Sequence, residues 1–371
     1  MENREKQRCS VCFIILNYNE IELTKKCVKS IFKLENAAVN KSDAPQADEP
    51  YVIILDNASP NGCGEQLFKE YESNNRVKVI LNKENSGFAA GNNIAFSYAK
   101  ENIDADFIIA VNSDVLFIQH GFVRKLFDLY EEYPFHVAGP DILIPDRCFH
   151  QNPRMTVDGY PSVEQVYTMK REWEASAKHL HDRDMFAFKK YVRERYRFTW
   201  WMRALFRIKR TLEQTVSSVH HKSKGPIKLG ASSDSFHSTA SSPIENENVQ
   251  LLDTVDINKL GLYKKQLKNV CLQGPCIIFD RRYIAERDVL FNPLTFMYFE
   301  EQILCLDCYL NNWKTIYFPQ LKVVHLDSGS TYNGRMGFEE FCQKKEQSYR
   351  RGIEGTDVYL EYLGRHLLSD E

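Results

Sequence analysis

Four apolar segments in the N-terminal third each run into short polar side chains of the kind that bind ligands. These side chains are, in chain order, Asn17 and Asn19, Asp56 and Asn57, Asn85 and Asn92, and Asn112 and Asp114. Amide and carboxylate oxygens accept hydrogen bonds, and carboxylates also bind hard divalent cations. Asparagine and aspartate are common in turns, so one of them alone means little, but their recurrence after four successive segments indicates a shared site.

The third of these segments also carries two glycines, Gly87 and Gly91, just before a stretch with helical spacing. A glycine lets the backbone approach another group closely, and the first turn of a helix attracts anions. We therefore expect this part of the backbone to lie close to a ligand, in surroundings suited to phosphate.

Two adjacent carboxyl groups, Glu300 and Glu301, stand between apolar residues on both sides. Burial raises the pKa of a carboxyl group, and a carboxylate of raised basicity is suited to remove a proton from a hydroxyl. Glutamates are also common in the first turn of a helix because they interact favourably with its dipole. That second explanation leaves a purely structural role open for one of the two.

Hydrophobic periodicity places these residues on alternating strands and helices. Residues 11–17, 51–56, 77–82 and 106–114 have the pattern of buried strands, and residues 21–34, 90–102 and 121–133 that of helices. Strands that are apolar on both faces and alternate with helices predict a parallel sheet covered on both sides. Ligands bind beyond the carboxyl ends of such strands, where the polar side chains lie. Residues 35–50 are polar and predict a surface loop.

The composition is that of a globular protein. Of 371 residues, 43% are hydrophobic and 26% are charged, and 48 basic against 50 acidic residues give a net charge of −2. This balance excludes a disordered chain, a collagen and a polycation that coats nucleic acid. No apolar stretch reaches the roughly 18 residues of a membrane span, and the charged start lacks a signal-peptide pattern, so we expect a cytoplasmic location.

Ten cysteines include two CxxC pairs, Cys9 with Cys12 and Cys305 with Cys308. Such pairs are typical of zinc sites. Here Cys12 lies in a strand-like run and the second pair in a helical pattern, without a histidine or loop beside either pair. We expect reduced thiols that behave as small hydrophobic residues.

Familiar signatures of other enzyme classes are absent. The sequence has no GxGxxG after the first strand, no GxxxxGK[ST], no HExxH and no GxSxG. This argues against a dinucleotide oxidoreductase and a P-loop NTPase in particular.

Five segments together resemble the family 2 glycosyltransferases of the GT-A fold, in particular a non-processive branch of rhamnosyltransferase- and galactofuranosyltransferase-like enzymes. They are ILNYN, LDNAS, NSGFAAGNN, the NSDV variant of the DxD motif, and the block from GPCIIFDRRYI to VVHLDSGST. The resemblance covers residues 11–145 and 270–330. It implies a Rossmann-like, mostly parallel α/β sheet flanked by helices. The resemblance does not explain the insertion between its two parts; helical patterning there and in the tail predicts a helical insertion and a helical C-terminal tail.

The resemblance also implies which residues bind a nucleotide-sugar donor. Those that would contact the nucleotide, its ribose or the diphosphate are Asn17, Asn19, Asp56, Asn57, Asn85, Gly87, Asn92, Asn112 and Asp114. Asp114, the last carboxylate of the DxD-like motif, would hold Mg²⁺ or Mn²⁺ together with His325. The cation would neutralise charge on the departing diphosphate. Asn112 stands where the family has aspartate.

On the acceptor side, the resemblance implies that Glu301 is the general base of an inverting transfer. Glu300 would orient it or bind an acceptor hydroxyl, and Gly274 would belong to the acceptor site. The family usually has aspartate at the position of Glu301.

We expect four segments along the chain. Residues 1–149 form the nucleotide-sugar half, 150–262 an insertion, 263–332 the acceptor and catalytic half, and 333–371 a helical tail. Within the insertion, residues 187–212 form a basic amphipathic stretch, and the Ser-rich residues 230–248 predict a flexible loop. The basic stretch suits either an anionic membrane surface or a packed helix with a solvated face. Phosphate binding to nucleic acid is a rival use of the same charges, although we expect no nucleic-acid partner.

Two functions from different classes remain. The first is a metal-assisted, inverting transferase that moves a hexosyl or deoxyhexosyl unit from a dTDP- or UDP-sugar to a lipid-linked glycan, at the inner face of the cell membrane, in surface-polysaccharide synthesis. The QxxRW motif of processive synthases is absent, so one sugar is expected per encounter. The second is a non-catalytic scaffold that binds a nucleotide sugar within a polysaccharide assembly.

Overall fold

The computed structural model describes residues 6–36, 49–145, 148–154, 160–181, 261–326 and 338–367. These residues belong to one compact unit, and a second unit, Asp184–Pro243, lies outside them. The basic stretch 187–212, the Ser-rich stretch 230–248 and most of the predicted loop 35–50 therefore also lie outside the described residues, and those expectations stay predictions.

Ten strands carry the fold. They are β1 (Gln7–Asn17), β2 (Tyr51–Asp56), β3 (Val77–Leu81), β4 (Ile103–Asn112), β5 (Val115–Phe117), β6 (Val137–Ile144), β7 (Phe149–His150), β8 (Leu267–Lys268), β9 (Cys276–Asp280) and β10 (Thr315–His325). The four strands predicted from apolar runs correspond to β1 to β4. The predicted fourth strand ended at residue 114, but β4 ends at Asn112, because the chain turns at residues 113 and 114 before it enters β5.

Eight α-helices lie in the described residues. They are α1 (Ile21–Asn36), α2 (Cys63–Tyr71), α3 (Phe88–Asn102), α4 (Phe122–Glu132), α5 (Val163–His181), α6 (Arg281–Glu286), α7 (Glu300–Leu310) and α8 (Phe338–Leu367). The three helices predicted in the first third are confirmed as α1, α3 and α4. The helical pattern predicted in the tail is confirmed as α8, and the helical position of Cys305 and Cys308 as α7.

The strands form a single sheet in the order β3-β2-β1-β4-β9-β6-β10-β5, with β7 beside β6 and β8 beside β10. Strands β1 to β4 pair in parallel, and β6 pairs in parallel with β10. β9 is antiparallel to both of its neighbours, β4 and β6, so the two parallel groups run in the same direction. The prediction of a mostly parallel α/β sheet of the GT-A type is confirmed.

The register brings the strand ends to one edge of the sheet. Asn17 lies opposite Asp56, Leu16 opposite Asn112, and Asp56 opposite Leu81. The polar residues that follow these strands are therefore neighbours in space. This is the edge at which the sequence predicted a ligand.

Helices cover both faces of the sheet. Alternate residues of β1 enter different hydrophobic clusters, with Phe13 and Ile15 in one and Cys12 and Ile14 in the other. All six residues of β2 are buried. Because both faces of the sheet are buried, its strands are continuous apolar runs. This is why the strands could be predicted from the sequence.

A third hydrophobic cluster joins the insertion and the tail to residues 263–332. Val166 of α5, Phe299 and Ile303 at the start of α7, and Tyr359 and Leu363 of α8 are buried together. The Tyr359 hydroxyl donates a hydrogen bond, at 2.9 Å, to the carbonyl oxygen of Pro161, which lies just before α5. In the part of the chain that the structure describes, no helix is both long and apolar enough to cross a membrane.

Candidate active site

A cavity of about 430 Å³ opens at the carboxyl edge of the sheet. One wall comes from the strand ends and the loops that follow them, and the lining residues are Leu16, Tyr18, Glu20, Asn57, Asn85, Gly87, Phe88, Asn112, Ser113, Asp114 and His325. The other wall comes from the later part of the chain, and its lining residues include Gln151, Arg154, Met169, Trp173, Gln273, Gly274, Tyr298, Glu300 and Glu301. Residues almost 190 positions apart, such as Asp114 and Glu301, thus face one cavity.

Asp114 and His325 are brought together by the pairing of two short strand segments. Val115, the first residue of β5, lies opposite His325, the last residue of β10. The next residue, Leu326, donates its backbone N–H to the Asp114 carbonyl oxygen at 3.0 Å. The antiparallel ladder therefore fixes the two side chains beside each other.

The side chains of Asp114 and His325 are in direct contact. His325 Nε2 lies 3.1 Å from Asp114 Oδ1, and both side chains are less than 10% exposed. His325 Nδ1 lies 2.9 Å from Oε1 of Gln151, which orients the ring. A carboxylate oxygen next to an imidazole nitrogen is a donor pair that suits Mn²⁺ or Mg²⁺, which take one or two protein ligands alongside substrate phosphates. The two predicted ligands thus fit a divalent cation, although no group of three or more such side chains lies together in the described residues.

Glu20 adds a second carboxyl group on the same wall, and sequence reasoning missed it. Its pKa is raised by partial burial and, secondly, by the negative charge of Asp114. Glu20 follows the polar end of β1 directly, so its position after Asn19 was the available signal. The wall consequently concentrates negative charge where a cation would be stabilised.

Asn57 organises the loops at the edge of the sheet. Its Nδ2 donates to Asn85 Oδ1 and to the Gly87 carbonyl oxygen, each at 3.0 Å. Its Oδ1 accepts from Asn82 Nδ2 at 3.0 Å and from the backbone N–H of Ser86 at 3.2 Å. Both functional groups of this buried amide are therefore used to hold the loop between β3 and α3 against the end of β2.

Asn17 and Asp56 are bonded to each other rather than pointing into the cavity. Asn17 Nδ2 donates to Asp56 Oδ1 at 2.6 Å, and Thr24 Oγ1 donates to Asn17 Oδ1 at 2.7 Å. Ser59 donates its hydroxyl and its backbone N–H to the two oxygens of Asp56. Asn19, with a φ of 66°, donates its backbone N–H to Ser59 Oγ at 2.8 Å. These residues shape the edge of the sheet, and a direct role in nucleotide binding stays a prediction.

The two glycines approach protein atoms, and a close approach of their backbone to a ligand stays a prediction. Gly87 has a φ of +86°, and a Cβ at this position would lie 2.2 Å from the Phe296 carbonyl oxygen. A Cβ at Gly91 would lie 2.8 Å from Leu16 Cδ1. Gly87 lines the cavity, but it is glycine because the loop of Phe296 packs on its backbone.

Asn92 also lies away from the cavity. It is buried one turn inside α3, and its Nδ2 donates to the Phe88 carbonyl oxygen at 3.0 Å. The helix begins at Phe88, two residues earlier than the predicted start, so Asn92 falls in the helix interior instead of at its first turn. Its neighbour Asn93 accepts the backbone N–H groups of Leu290 and Phe291, both at 2.9 Å, and so joins α3 to the catalytic half.

Glu301 is oriented by the backbone of Gly274. The Gly274 N–H donates to Glu301 Oε1 at 2.9 Å. A Cβ on residue 274 would lie 2.5 Å from the same oxygen, so only glycine leaves room for the carboxylate. Both residues line the cavity, as the sequence predicted for an acceptor-side group and a base.

Glu300 is the carboxyl group whose pKa rises. Burial, and secondly the charge of neighbouring Glu301, raise the pKa of Glu300 to about 8. Only 3% of its surface is exposed, and its Oε1 has no hydrogen-bond partner in the described part of the chain. Burial among apolar residues predicted a raised pKa for a carboxyl group of this pair, and the rise falls on Glu300 because this first residue of α7 is buried.

Two residues before these carboxyl groups adopt a strained backbone conformation. Tyr298 and Phe299 have φ values of 78° and 70°, in the left-handed region that side chains other than glycine rarely occupy. Each such residue costs about 1–3 kcal/mol and persists only where its surroundings hold it. The strain lies immediately next to the candidate catalytic pair.

The insertion contributes four side chains to the cavity that the sequence did not single out. They are Gln151, Arg154, Met169 and Trp173. Arg154 is the one lysine or arginine among the described lining residues, and its backbone N–H donates to the Cys271 carbonyl oxygen at 2.9 Å. The first part of the predicted insertion thus belongs to the cavity as well as to the sheet.

Most of the residues predicted from sequence meet in this cavity. Those that line it are Asn57, Asn85, Gly87, Asn112, Asp114, Gly274, Glu300, Glu301 and His325. Those that support its edge without lining it are Asn17, Asn19, Asp56 and Asn92. Their chemical roles stay predictions.

Comparison with known proteins gives one family match and several similar structures. The family model of glycosyl transferase family 2 matches residues 12–220, more than half of the chain. A crystal structure of TarS 1–349 from S. aureus in complex with UDP-GlcNAc is 20% identical, with a TM-score of 0.28, over 36% of this chain and 34% of that chain. Another structure of TarS 1–349 is 15% identical, with a TM-score of 0.41, over 97% of this chain and 72% of that chain. In the first alignment the chain spans about a third of the TarS chain, and no curated protein matches it.

The mostly parallel sheet with a cavity at the carboxyl ends of its strands is consistent with a GT-A fold. With the family model matching more than half of its length, the chain belongs to glycosyl transferase family 2.

Proposed function

We propose that the protein is an inverting glycosyltransferase that moves one sugar from a nucleotide-diphosphate sugar to a hydroxyl group of a glycan. The observation that carries the proposal is that Asp114 and Glu301, far apart along the chain, line one cavity. Family membership supports the reaction class.

The donor side of the proposal rests on the first wall. Asp114 and His325 would hold Mg²⁺ or Mn²⁺, and the cation supplies positive charge to the diphosphate that leaves. Asn57, Asn85 and the backbone at Gly87 line the same wall and would contact the nucleotide diphosphate. We take the donor to be a UDP- or dTDP-sugar.

The acceptor side rests on the two carboxyl groups. The acceptor oxygen attacks the anomeric carbon, the bond between that carbon and the diphosphate oxygen breaks, and the nucleoside diphosphate leaves with the electron pair. The hydroxyl proton passes to Glu301. Because the pKa of Glu300 is raised to about 8, Glu300 is mainly protonated near neutral pH. We take Glu301 as the base, because the family resemblance implies a base at this position and the Gly274 N–H orients its carboxylate. Glu300 would orient the acceptor hydroxyl.

The finer parts of the proposal rest on sequence motifs. The ILNYN and NSGFAAGNN segments and the acceptor block favour the rhamnosyl- or galactofuranosyl-transferase-like branch, and the absence of QxxRW favours a single transfer. We take the acceptor to be a lipid-linked glycan at the inner face of the cell membrane. The basic stretch 187–212 would then contact the membrane surface.

The proposal is tested by binding and turnover with a panel of UDP- and dTDP-sugars, with and without Mn²⁺. We expect one donor to bind and to be consumed in the presence of a glycan acceptor. Asp114→Ala and Glu301→Gln should each lower turnover at least about 100-fold, the usual size of a base or charge-stabilising effect. Asp128→Ala and Glu101→Gln, on exposed carboxyl groups, serve as matched controls.

Two outcomes would overturn the catalytic assignment. Near-normal turnover in Asp114→Ala or Glu301→Gln would remove the role of that residue. Donor binding without transfer to any glycan by the wild-type chain would favour the scaffold function. Donor hydrolysis that survives in Glu301→Gln agrees with the proposal, because water can replace the acceptor.

A further inference from the structure

The strained turn at Tyr298 and Phe299, just before the two carboxyl groups, must be held in place by other parts of the chain. Tyr298 and Phe299 are consecutive aromatic residues in the left-handed region, and Glu300 and Glu301 follow them without a linker. The orientation of both glutamates therefore depends on whatever keeps this turn in place.

Helix α8, in the tail whose role the sequence left open, contacts the turn through its backbone. A Cβ at Gly355 would lie 3.1 Å from Phe299 Cδ2 and 3.2 Å from the Tyr298 carbonyl oxygen. About two turns before Gly355 in α8, Ser348 Oγ is hydrogen-bonded to the Tyr298 hydroxyl. Both residues of the turn thus rest on the same face of α8.

Helix α5 closes the other side of the turn. Trp173 lies with its ring centroid 5.6 Å from that of Tyr298 and 6.0 Å from that of Phe299. A Cβ at Gly352 would lie 2.2 Å from the Trp173 ring, so the indole fits against bare backbone of α8. The turn is therefore enclosed between a tryptophan of α5 and three small residues of α8.

We propose that α5 and α8 form a clamp, defined by Trp173, Ser348, Gly352 and Gly355, that positions Glu300 and Glu301 for proton transfer. The role rests on the proposed function, because it concerns the geometry of that reaction. Ser348, Gly352 and Gly355 do not line the cavity, and they act through Tyr298 and Phe299 as positioning residues.

The first test removes one hydroxyl group from the clamp. In Ser348→Ala the hydrogen bond to Tyr298 is lost, whereas Ser348→Thr keeps a hydroxyl at the same place. We expect Ser348→Ala to lower kcat about tenfold, since small misplacements of catalytic groups carry large penalties. KM for the donor and the calorimetric Kd of the nucleotide sugar should stay within about twofold of wild type, because the donor wall is untouched. Ser348→Thr should recover most of kcat.

The second test uses two glycines of one helix. Gly355→Ala places a methyl group against Phe299, whereas a Cβ at Gly364 meets nothing within 4 Å. Both changes replace glycine by a better helix former. We expect Gly364→Ala to keep wild-type kcat and Gly355→Ala to lose about tenfold or more, in the same direction as Ser348→Ala.

The hydrogen-exchange rates of the backbone amides at residues 295–301 measure how firmly the turn is held, independently of activity. Faster exchange in Ser348→Ala and Gly355→Ala, with wild-type exchange in Gly364→Ala, would support the clamp. Unchanged exchange and kcat in Ser348→Ala would overturn it. So would equal losses of kcat in Gly355→Ala and Gly364→Ala, which would indicate general destabilisation. If the wild-type chain transfers no sugar, the proposed function fails, and exchange alone decides whether α8 holds the turn.

Discussion

At the residue scale, the proposed donor side of the site rests on the contact between Asp114 and His325. The two side chains touch because β5 and β10 pair at their ends, and Gln151 fixes the imidazole ring. Such an orienting contact is typical of histidines that bind metals. We therefore expect mutation of either residue to have the largest effect on how the rate of transfer depends on the cation.

We predict that His325→Gln raises the Mn²⁺ concentration for half-maximal transfer about tenfold or more, because one of two protein ligands is lost. The measurement is initial rate against free Mn²⁺ after treatment with a chelator. His120→Gln is the matched control, since His120 is exposed and lies outside the cavity. An unchanged Mn²⁺ dependence in His325→Gln would remove this residue from the metal site.

The second residue-scale prediction concerns the stability of the protein as a function of pH. The pKa of Glu300 is about 8 in the folded chain and near 4.5 as a free side chain. Between these two values the unfolded state releases the proton and the folded state keeps it, so this group lowers stability as pH rises from about 4.5 to about 8. Glutamine does not titrate, so the fall in stability with rising pH that is due to this group should be absent in Glu300→Gln.

At pH 8 we expect Glu300→Gln to stabilise the fold by at least about 1 kcal/mol, given about 1.4 kcal/mol per pKa unit. At pH 4 the two proteins should differ little. Thermal or urea unfolding at several pH values gives the comparison. A variant that is less stable than wild type at pH 8 would mean that the buried carboxyl group makes favourable contacts instead.

Individual site residues were predictable where the chain itself brings them to a strand end. Asn57, Asn112 and Asp114 follow apolar strands directly, so their place at the sheet edge could be inferred. Trp173 comes to the cavity through the packing of α5 on α8, and Arg154 through its backbone hydrogen bond to Cys271. Neither contact leaves a mark in local spacing. Asn17 and Asp56 were expected to face the ligand, but two polar groups at adjacent strand ends can equally bond to each other.

At the element scale, the loop between β3 and α3 is held against the catalytic half of the chain. The Phe88 N–H donates to the Phe296 carbonyl oxygen at 2.8 Å, and Gly87 leaves room for this contact. This link joins the donor wall to the loop that leads to Glu300. The distance between the loop that precedes α3 and the loop that leads to Glu300 therefore depends on the absence of a side chain at Gly87.

We predict that Gly87→Ala is more harmful than Gly121→Ala. Both glycines have positive φ, +86° and +68°, but a Cβ at Gly121 meets nothing within 4 Å. Gly121→Ala should carry only the conformational cost of about 1–2 kcal/mol and keep its activity. Gly87→Ala should lose more stability and lower transfer at least about tenfold, because the backbone of Phe296 must move. Equal stability and activity in the two variants would contradict this link.

Secondary structure in the first half was predictable because buried parallel strands are uniformly apolar and the helices between them are amphipathic. Boundaries moved by a few residues, as at α3, which starts at Phe88 and draws Asn92 into its interior. The antiparallel insertion of β9 between β4 and β6 was not predictable, since strand direction depends on long-range pairing.

At the scale of the whole molecule, the described residues of the insertion and the tail complete the same compact unit as the sheet. The third hydrophobic cluster joins α5, α7 and α8, so segments distant in sequence surround one cavity. Residues 187–212 lie outside the described residues, and their role is tested separately.

We predict that the basic stretch binds anionic membranes. Wild-type protein should float with vesicles that contain anionic lipid and bind less as salt increases. Replacing Arg203, Arg207 and Arg210 by glutamate should abolish flotation, and vesicles of zwitterionic lipid alone serve as the control. Flotation that is unaffected by the charge reversal would leave the packed-helix alternative in place.

A crystal structure with a bound UDP- or dTDP-sugar and Mn²⁺ tests the central claim most directly. The predicted result is a cation between the diphosphate and the pair Asp114 and His325, with the anomeric carbon of the sugar turned toward Glu301. A nucleotide sugar bound outside this cavity, or with its sugar turned away from both Glu300 and Glu301, would contradict the claim that the two walls form one transferase site.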